Sequence, residues 1–334
     1  MKLSILEQVP CFEGHTSEET LSDLQVLAQG VEAAGYRRIW LAEHHNSLSM
    51  LSSAPDILAG YLLANTDHIR VGTGGVMAMH YGSLQMAERF NTLASLYPGR
   101  VDMGLGRAPG GDITSAYALN QGRVIDPEAI NDLIEETLQL MRSDLPQGHP
   151  YGQVKVTPKA ATPPEYWLLG SSGQSAAWAG HHQMNYAYAQ FFTGHQNPEI
   201  LNHYRANYQG SKDQAQTLSA LSVVAGESEA EAQELALTSL SFRYSLMTDR
   251  PLAFQSPDAF SDDYKELLRA HGQRDRNAII GSYDQVAERI KELQAHYQAD
   301  EIMLVTYMEA VDDKLQMYQA LACLLYTSDA ADDS

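Results

Sequence analysis

Glu43, His44, His45 and Asn46 put a carboxylate, two imidazoles and an amide in four consecutive positions. Imidazoles beside a carboxylate can move a proton near neutral pH or ligate a metal. The four follow Ile39-Trp40-Leu41-Ala42, an apolar run of strand length. A buried strand is rigid and the loop after it opens to solvent. Polar groups at that end are where α/β proteins keep their chemistry. The bland alternative is a capped strand end with surface histidines. Side chains alternate along a strand, so His44 and His45 differ in direction, and the pattern does not say which one points inward.

A second candidate is Gly170-Ser171-Ser172-Gly173-Gln174-Ser175-Ala176, between an apolar run ending at Leu169 and a helical pattern. Bare N–H groups and hydroxyls at a helix N-terminus suit a phosphate; a tight turn with a serine cap is the alternative. The stretch is no nucleophile elbow, because Gln174 stands where that motif has its second glycine. Gly104-Leu105-Gly106-Arg107-Ala108-Pro109-Gly110-Gly111 superficially resembles a dinucleotide fingerprint, but the spacing is wrong and the chain continues as loop. Arg107, just past a strand end, is better suited to pairing with a phosphate or carboxylate. The pair His181-His182 reads as surface at a helix end, and Cys11 and Cys323 form no metal or redox spacing.

These residues need elements to hold them, and strand-like and helix-like patterns alternate along the whole chain. Strands are predicted at Leu3–Leu6, Ile39–Ala42, Ile69–Val76, Val101–Gly106, Tyr166–Leu169, Tyr186–Phe192, Leu218–Ala225 and Glu301–Thr306. Thr16 with Glu19 forms a capping-box pattern opening a helix that carries Leu21, Leu24, Leu27, Val31 and Ala34 on one face and ends at Gly35. Pro55 starts a second helix and Leu84–Leu96 is a third. Asp126 and Pro127 open a helix to about Met141. Ser228 with Glu231 and Ser282 with Gln285 repeat the capping pattern. Residues 143–164 read as an excursion with a short hairpin around Gln153–Val156. Met247–Ala278 reads as an insertion over one face, either a cover or a surface loop.

The expected fold class is therefore α/β: a single (β/α)8 TIM-type barrel over residues 1–322, with a long insertion before the last helix–strand unit. A doubly wound open sheet is the competitor. The final stretch, Cys323–Ser334, does not read as continuing the preceding helix; it resembles a translated sequencing-adapter read-through, on which reading Cys323 is not native.

Hydrophobic residues make up 44% of the 334, as in an ordinary globular protein. The formal charge of −20 argues against nucleic acid and anionic membrane as partners, since both require clustered Lys and Arg. No apolar run approaches membrane-spanning length and the N-terminus turns polar too soon for a signal peptide, so a cytoplasmic protein is expected.

Four motifs in order, Ile39–His45, Val71–Val76, Gly99–Gly110 and Trp167–Ala176, resemble the bacterial-luciferase-like flavin-dependent monooxygenases, most of all their single-subunit oxidoreductases. The resemblance covers Met1 to Ala322. It implies a barrel binding FMN at its C-terminal mouth, reduced FMN as co-substrate supplied by a separate flavin reductase, and a homodimer packed through early helices. The implied reaction is oxidation of a small organic substrate with O2 through a C4a-(hydro)peroxide. Carried over by position, His44 is the acid/base near the flavin ring, with Glu43 or His45 as its partner and Glu43 counted with the cofactor-binding residues; a histidine titrating near neutrality suits that step. Gly170 and Ser171, Ser172 and Ser175 would hold the phosphate together with Arg107. Gly74-Gly75 falls where the family has a non-prolyl cis peptide beneath the flavin ring.

Relatives often carry prolines after the third strand, where this chain has Met77–Ser83; there His80 and Tyr81 either line the pocket or cap the next helix. Three other readings compete. One is a deazaflavin-dependent hydride-transfer enzyme of the same superfamily, and another a non-catalytic flavin-binding protein. The third, a metal-dependent barrel hydrolase, is opposed by the absence of a His-x-His pair on the first strand.

Overall fold

The apolar runs become the staves of a closed barrel. The structure is a computed structural model and describes residues 1–124, 126–193, 196–248, 253–273 and 278–332. The first half runs β1 (Leu3–Glu7), α1 (Ser17–Ala33), β2 (Arg38–Leu41), α2 (Pro55–Ala64), β3 (Arg70–Thr73), β4 (Val76–Met77), α3 (Ser83–Leu96), β5 (Val101–Gly106), α4 (Ile113–Leu119) and α5 (Pro127–Arg142). Then come β6 (Glu165–Gly170), α6 (Gly173–His181), β7 (Asn185–Tyr188), α7 (Gln190–Thr193), α8 (Glu199–Asn207) and β8 (Thr217–Gly226). The chain ends with α9 (Glu229–Leu235), α10 (Leu237–Met247), α11 (Asp262–Gly272), β9 (Ala278–Ser282), α12 (Tyr283–Tyr297), β10 (Glu301–Val305) and α13 (Val311–Asp332).

Parallel pairing runs β1–β2–β3–β5–β6–β7–β8, and β10 joins β8 back to β1, so eight strands close the ring. Ile5, Ile39, Val71 and Val101 lie in register around one side. They face outward and are buried with Leu24, Leu27 and Val31 of α1 and Leu62 of α2. Burying such a side chain stabilises the fold by about 1.5–3 kcal/mol. Thr16 and Glu19 make the expected capping box, and Gly35 follows α1 with φ +85°.

The alternate residues fill the barrel. At its N-terminal end the filling is ionic: Arg38, wholly buried, donates to Asp102 (2.7 Å), Glu165 (3.0 Å) and Glu301 (2.8 Å). Burial favours the neutral form of Asp102, but Arg38 and Arg70 outweigh it and hold the carboxyl below its ordinary range. Trp40 and Trp167 close over this floor edge-to-face at 5.3 Å, each indole N–H donating to a floor carboxylate. This packing closes the N-terminal end of the barrel interior.

Five expectations change. The Ile69–Val76 strand is interrupted at Gly74–Gly75, leaving β3 and β4. The Tyr186–Phe192 strand stops at Tyr188, because the chain has passed the rim and turns into α7, with Phe192 72% exposed. No hairpin forms around Gln153–Val156: residues 151–155 are exposed and offer no apolar face to bury. Met247–Ala278 holds a helix, α11, capped by Ser261 and carrying Tyr264, Leu267 and Leu268 at helical spacing, a short signal lost among the Pro, Asp and Ser of the segment; parts of that segment lie outside the described residues. Cys323 onward does continue the preceding helix, because Leu325 is buried in the core and the Tyr326 hydroxyl donates to Gly35 C=O (3.1 Å). Among the described residues no helix is long and apolar enough to cross a membrane.

Candidate active site at the C-terminal rim

Every residue singled out for chemistry stands on this rim: Glu43 and His44 just past β2, Gly74 and Gly75 past β3, Arg107 past β5, Ser171 and Ser172 past β6. The ring order β2–β3–β5–β6 therefore sets the histidine, the diglycine, the arginine and the serine turn side by side.

His44 and His45 part company, as strand alternation requires. His44 Nε2 lies 3.0 Å from Gln8 Oε1, at the end of β1, and the His44 backbone N–H donates to Ser52 C=O (2.8 Å). Its other ring nitrogen has no protein partner among the described residues. Burial, with the neighbouring His45 second, pushes the His44 pKa down to about 4, so the ring is neutral at physiological pH. That corrects the expectation of titration near neutrality: an imidazole so enclosed loses the hydration its cation needs.

His45 turns the other way, its Nε2 2.7 Å from Glu43 Oε1. The buried Glu43 carboxylate also accepts from the Met77 backbone N–H (2.8 Å) and the Tyr81 hydroxyl (3.1 Å). Glu43 thus ties the loop after β2 to the loop after β4. His80 Nε2 meets Pro109 C=O (2.7 Å) while Asn120 donates to His80 Nδ1 (3.1 Å), and the His80 ring stands edge-on to His45 at 5.4 Å. Neither His80 nor Tyr81 caps α3, whose N-cap is Gly82. Gly110, at φ +63°, brings the Arg107–Gly111 loop down so that its C=O accepts the His45 N–H (2.8 Å).

The Gly74–Gly75 peptide is cis. A side chain on Gly74 would meet Leu6 and Trp40, and one on Gly75 the backbone of Gly104 and Gly106. The result is a patch of bare backbone against the fourth barrel strand.

At the serine turn, Ser172 is the N-cap of α6 and forms a reciprocal cap with Ser175. Ser175 is buried, and its hydroxyl is taken up by Ser172 C=O (2.8 Å) and the Tyr186 hydroxyl (2.9 Å). Ser175 therefore shapes the turn from beneath. Ser171 and the first-turn N–H groups of Gly173 and Gln174, which have no intrahelical acceptor, form its outer surface. A side chain on Gly170 would collide with the Ser175 and Tyr186 hydroxyls, which is why the turn begins with glycine.

Arg107 belongs to the same corner. Burial raises the Tyr186 pKa to about 12, against the opposing pull of its Ser175 hydrogen bond and of the Arg107 charge. Among the described residues the guanidinium has one protein hydrogen bond, a long one of 3.3 Å to Asn131. A cavity of about 750 Å³ opens from Ser171, Ser172 and Gly173 past Tyr188 toward Ile200 and His203. Helix N-terminus, hydroxyl and guanidinium together make a donor set for a doubly charged phosphate.

Gln8, Tyr186 and Asn120 escaped sequence reasoning, because each acts through a partner distant in the chain. A third layer did too. Phe12, Phe242, Phe254 and Tyr307 pack together at the mouth in the same apolar cluster as Trp40 and Trp167, with Phe242 and Tyr307 rings 4.4 Å apart. Phe254 comes from the segment expected to be a cover or a surface loop, and it is buried.

Residues 1–298 match the sequence profile of the family described as luciferase-like monooxygenase. An N-acetyl-S-alkylcysteine monooxygenase of Bacillus subtilis is 32% identical over 96% of this chain and 97% of its own. The crystal structure of apo-MsnO8 superposes with TM-score 0.86 at 30% identity, covering 97% of this chain and 98% of that one. The oxygenating constituent of 3,6-diketocamphane monooxygenase from Pseudomonas putida, solved in complex with FMN, has TM-score 0.69 at 15% identity, covering 96% of each chain; that likeness is one of fold.

Proposed function

The chain belongs to the luciferase-like monooxygenase family, and on that footing we propose that it is an FMN-dependent monooxygenase. It takes reduced FMN from a separate flavin reductase and uses O2 to oxidise a small organic molecule. One juxtaposition carries the reading: an anion cradle of Arg107 and the Ser171–Gln174 turn shares a rim with a neutral, enclosed imidazole, and bare backbone at Gly74–Gly75 lies on the strand between.

The residues fit the cofactor by the chemistry of their donors. Arg107, the Ser171 and Ser172 hydroxyls and the open N–H groups of α6 would hold the phosphate, with Gly170 and Ser175 shaping the turn. Gly74 and Gly75 would let the backbone beneath the ring pack flat on the barrel, since a side chain on either would strike Leu6, Trp40 or the β5 backbone. Glu43 contributes through the wall it holds between Met77, Tyr81 and His45. Reduced flavin, when bound, supplies the electrons that activate O2. The protein's part is to orient the ring, to exclude water with Phe12, Phe242, Phe254 and Tyr307, and to take up or return one proton at His44 Nδ1. Apolar residues exposed on the early helices, Ile57 and Tyr61 on α2 and Leu96 at the end of α3, support pairing of two copies through that side.

The test is turnover with isotopically labelled O2, purified protein, a flavin reductase with FMN, and a panel of thioethers, aldehydes and alkanes. N-acetyl-S-alkylcysteines come first, because a relative of this chain is named for them. Label in the product is the expected result. Hydride transfer with a deazaflavin, and no label incorporated from any substrate with FMN, would overturn the proposal in favour of the superfamily's other chemistry.

A further inference from the structure

The chain turns sharply just after β1, at a residue type poorly suited to the turn. Val9 has φ +55°, a left-handed conformation that β-branched residues rarely adopt. Three contacts hold it there. Its N–H donates to Glu7 Oε1 (2.8 Å), its C=O accepts from the Leu51 N–H (3.0 Å), and the other Glu7 oxygen takes the buried Lys314 ammonium of α13 (2.9 Å). An outlier braced so heavily at an active-site rim calls for a function, and the residue it aims is its neighbour. Gln8, 5% exposed, points its amide oxygen at His44 Nε2, 3.0 Å away. Burial raises the Tyr307 pKa, and Gln8 stands close enough to oppose that rise slightly.

We infer that Gln8 is a positioning residue that fixes His44 in a single tautomer, hydrogen on Nε2 and lone pair on Nδ1, and that the Glu7–Lys314 pair and the left-handed Val9 exist to aim it. An amide oxygen can only accept, so the ring nitrogen facing it must donate. Nδ1 is then the one ring atom able to take a proton, and it has no protein partner among the described residues. An unheld neutral imidazole would divide between two tautomers and two ring orientations, of which one presents its lone pair to the reaction. Around this corner the other titratable groups are His45 and Glu43, paired with each other, Glu7 and Lys314, likewise paired, and Tyr307. Among the described residues no carboxylate shares His44, so an amide there orients the ring without charging it.

This inference rests on His44 being the acid/base, yet its first readout does not. Nitrogen NMR of the ligand-free protein, with the His44 signals assigned through a His44→Gln variant, reports which ring nitrogen bears hydrogen. In the wild type Nε2–H alone is expected across neutral pH. Gln8→Met, near in shape, should show both tautomers and lower kcat about tenfold or more with KM for reduced FMN unchanged. Gln8→Glu should restore a single orientation but raise the His44 protonation midpoint by at least one pH unit, carrying the acid limb of kcat with it. Nδ1–H in the wild type, or an unaltered tautomer in Gln8→Met, would overturn the inference. A tautomer change in folded Gln8→Met with kcat unmoved would uphold the hold of Gln8 on the ring and overturn the role given to His44.

Discussion

Replacing Arg107 by Ala gives the most direct measure of whether the serine turn and its neighbour form a phosphate site. The guanidinium is partly buried, has one long hydrogen bond to Asn131 (3.3 Å), and acts electrostatically on Tyr186 beneath the turn. Its loss should therefore cost the free protein little, about 0.5 kcal/mol or less. A charge-assisted hydrogen bond to a phosphate is worth about 1.5–3 kcal/mol. At roughly 1.4 kcal/mol per decade, Arg107→Ala should weaken FMN binding about 10- to 150-fold. Riboflavin, which has the same ring and no phosphate, is the control and should lose less than about twofold, since the removed energy belongs to a group it lacks. Fluorescence titration of both flavins into wild type and variant at fixed ionic strength yields the four constants. Raising the salt concentration should narrow the difference between the two proteins for FMN, because part of it is screened. Equal losses for FMN and riboflavin would refute the reasoning, because Arg107 would then be supporting the fold or the ring. An unchanged FMN constant would refute it outright.

Two further outcomes follow from the buried charges. His44 is held at about 4 against an ordinary 6.5, so between those values the unfolded chain binds a proton that the folded chain refuses. Stability from this source is complete above the ordinary value and falls as pH drops toward the lower one. Urea unfolding of the wild type should lose roughly 2–3 kcal/mol more than His44→Gln between about pH 7 and pH 4.5, and parallel curves would show that the ring is not so enclosed. Asp102→Ala removes the partner of Arg38 (2.7 Å), of the Trp40 indole (2.9 Å) and of Arg70 Nε (2.9 Å), and should destabilise the barrel by about 3–5 kcal/mol while the folded fraction keeps its FMN affinity. A urea midpoint within error of wild type would mean that the ionic floor contributes nothing to stability.

Much of the architecture is written locally. Eight apolar runs separated by helical patterns predict the barrel, because strand burial and helix amphipathicity are properties of neighbouring residues. The caps Thr16–Glu19 and Ser282–Gln285 form as their spacing requires. Ser228 accepts the Glu231 N–H, but the Glu231 carboxylate turns instead to the Glu227 N–H, so that box is only half made. Where local signal fails, the reason is equally physical. The helix α11 is amphipathic but short and mostly polar, with Leu268 alone buried, so the Pro, Asp and Ser around it outweigh its signal, and Tyr186–Phe192 stays apolar past the point where the barrel ends.

The amino-acid order by itself determined the rim and its inventory, since chemistry-bearing residues directly after apolar runs must sit at the C-terminal ends of parallel strands, wherever those strands lie. It also determined that His44 and His45 diverge. The roles within that inventory were decided in three dimensions. Ser175 is occupied beneath its turn, Glu43 is spent on holding two loops together, and His44 is neutral because burial and His45 make it so. Gln8, Tyr186 and Lys314 enter only there, for a hydrogen bond is short-ranged and sequence separation is no measure of distance: Gln8 and His44 stand 36 positions apart in the chain, and Glu7 and Lys314 stand 307 apart.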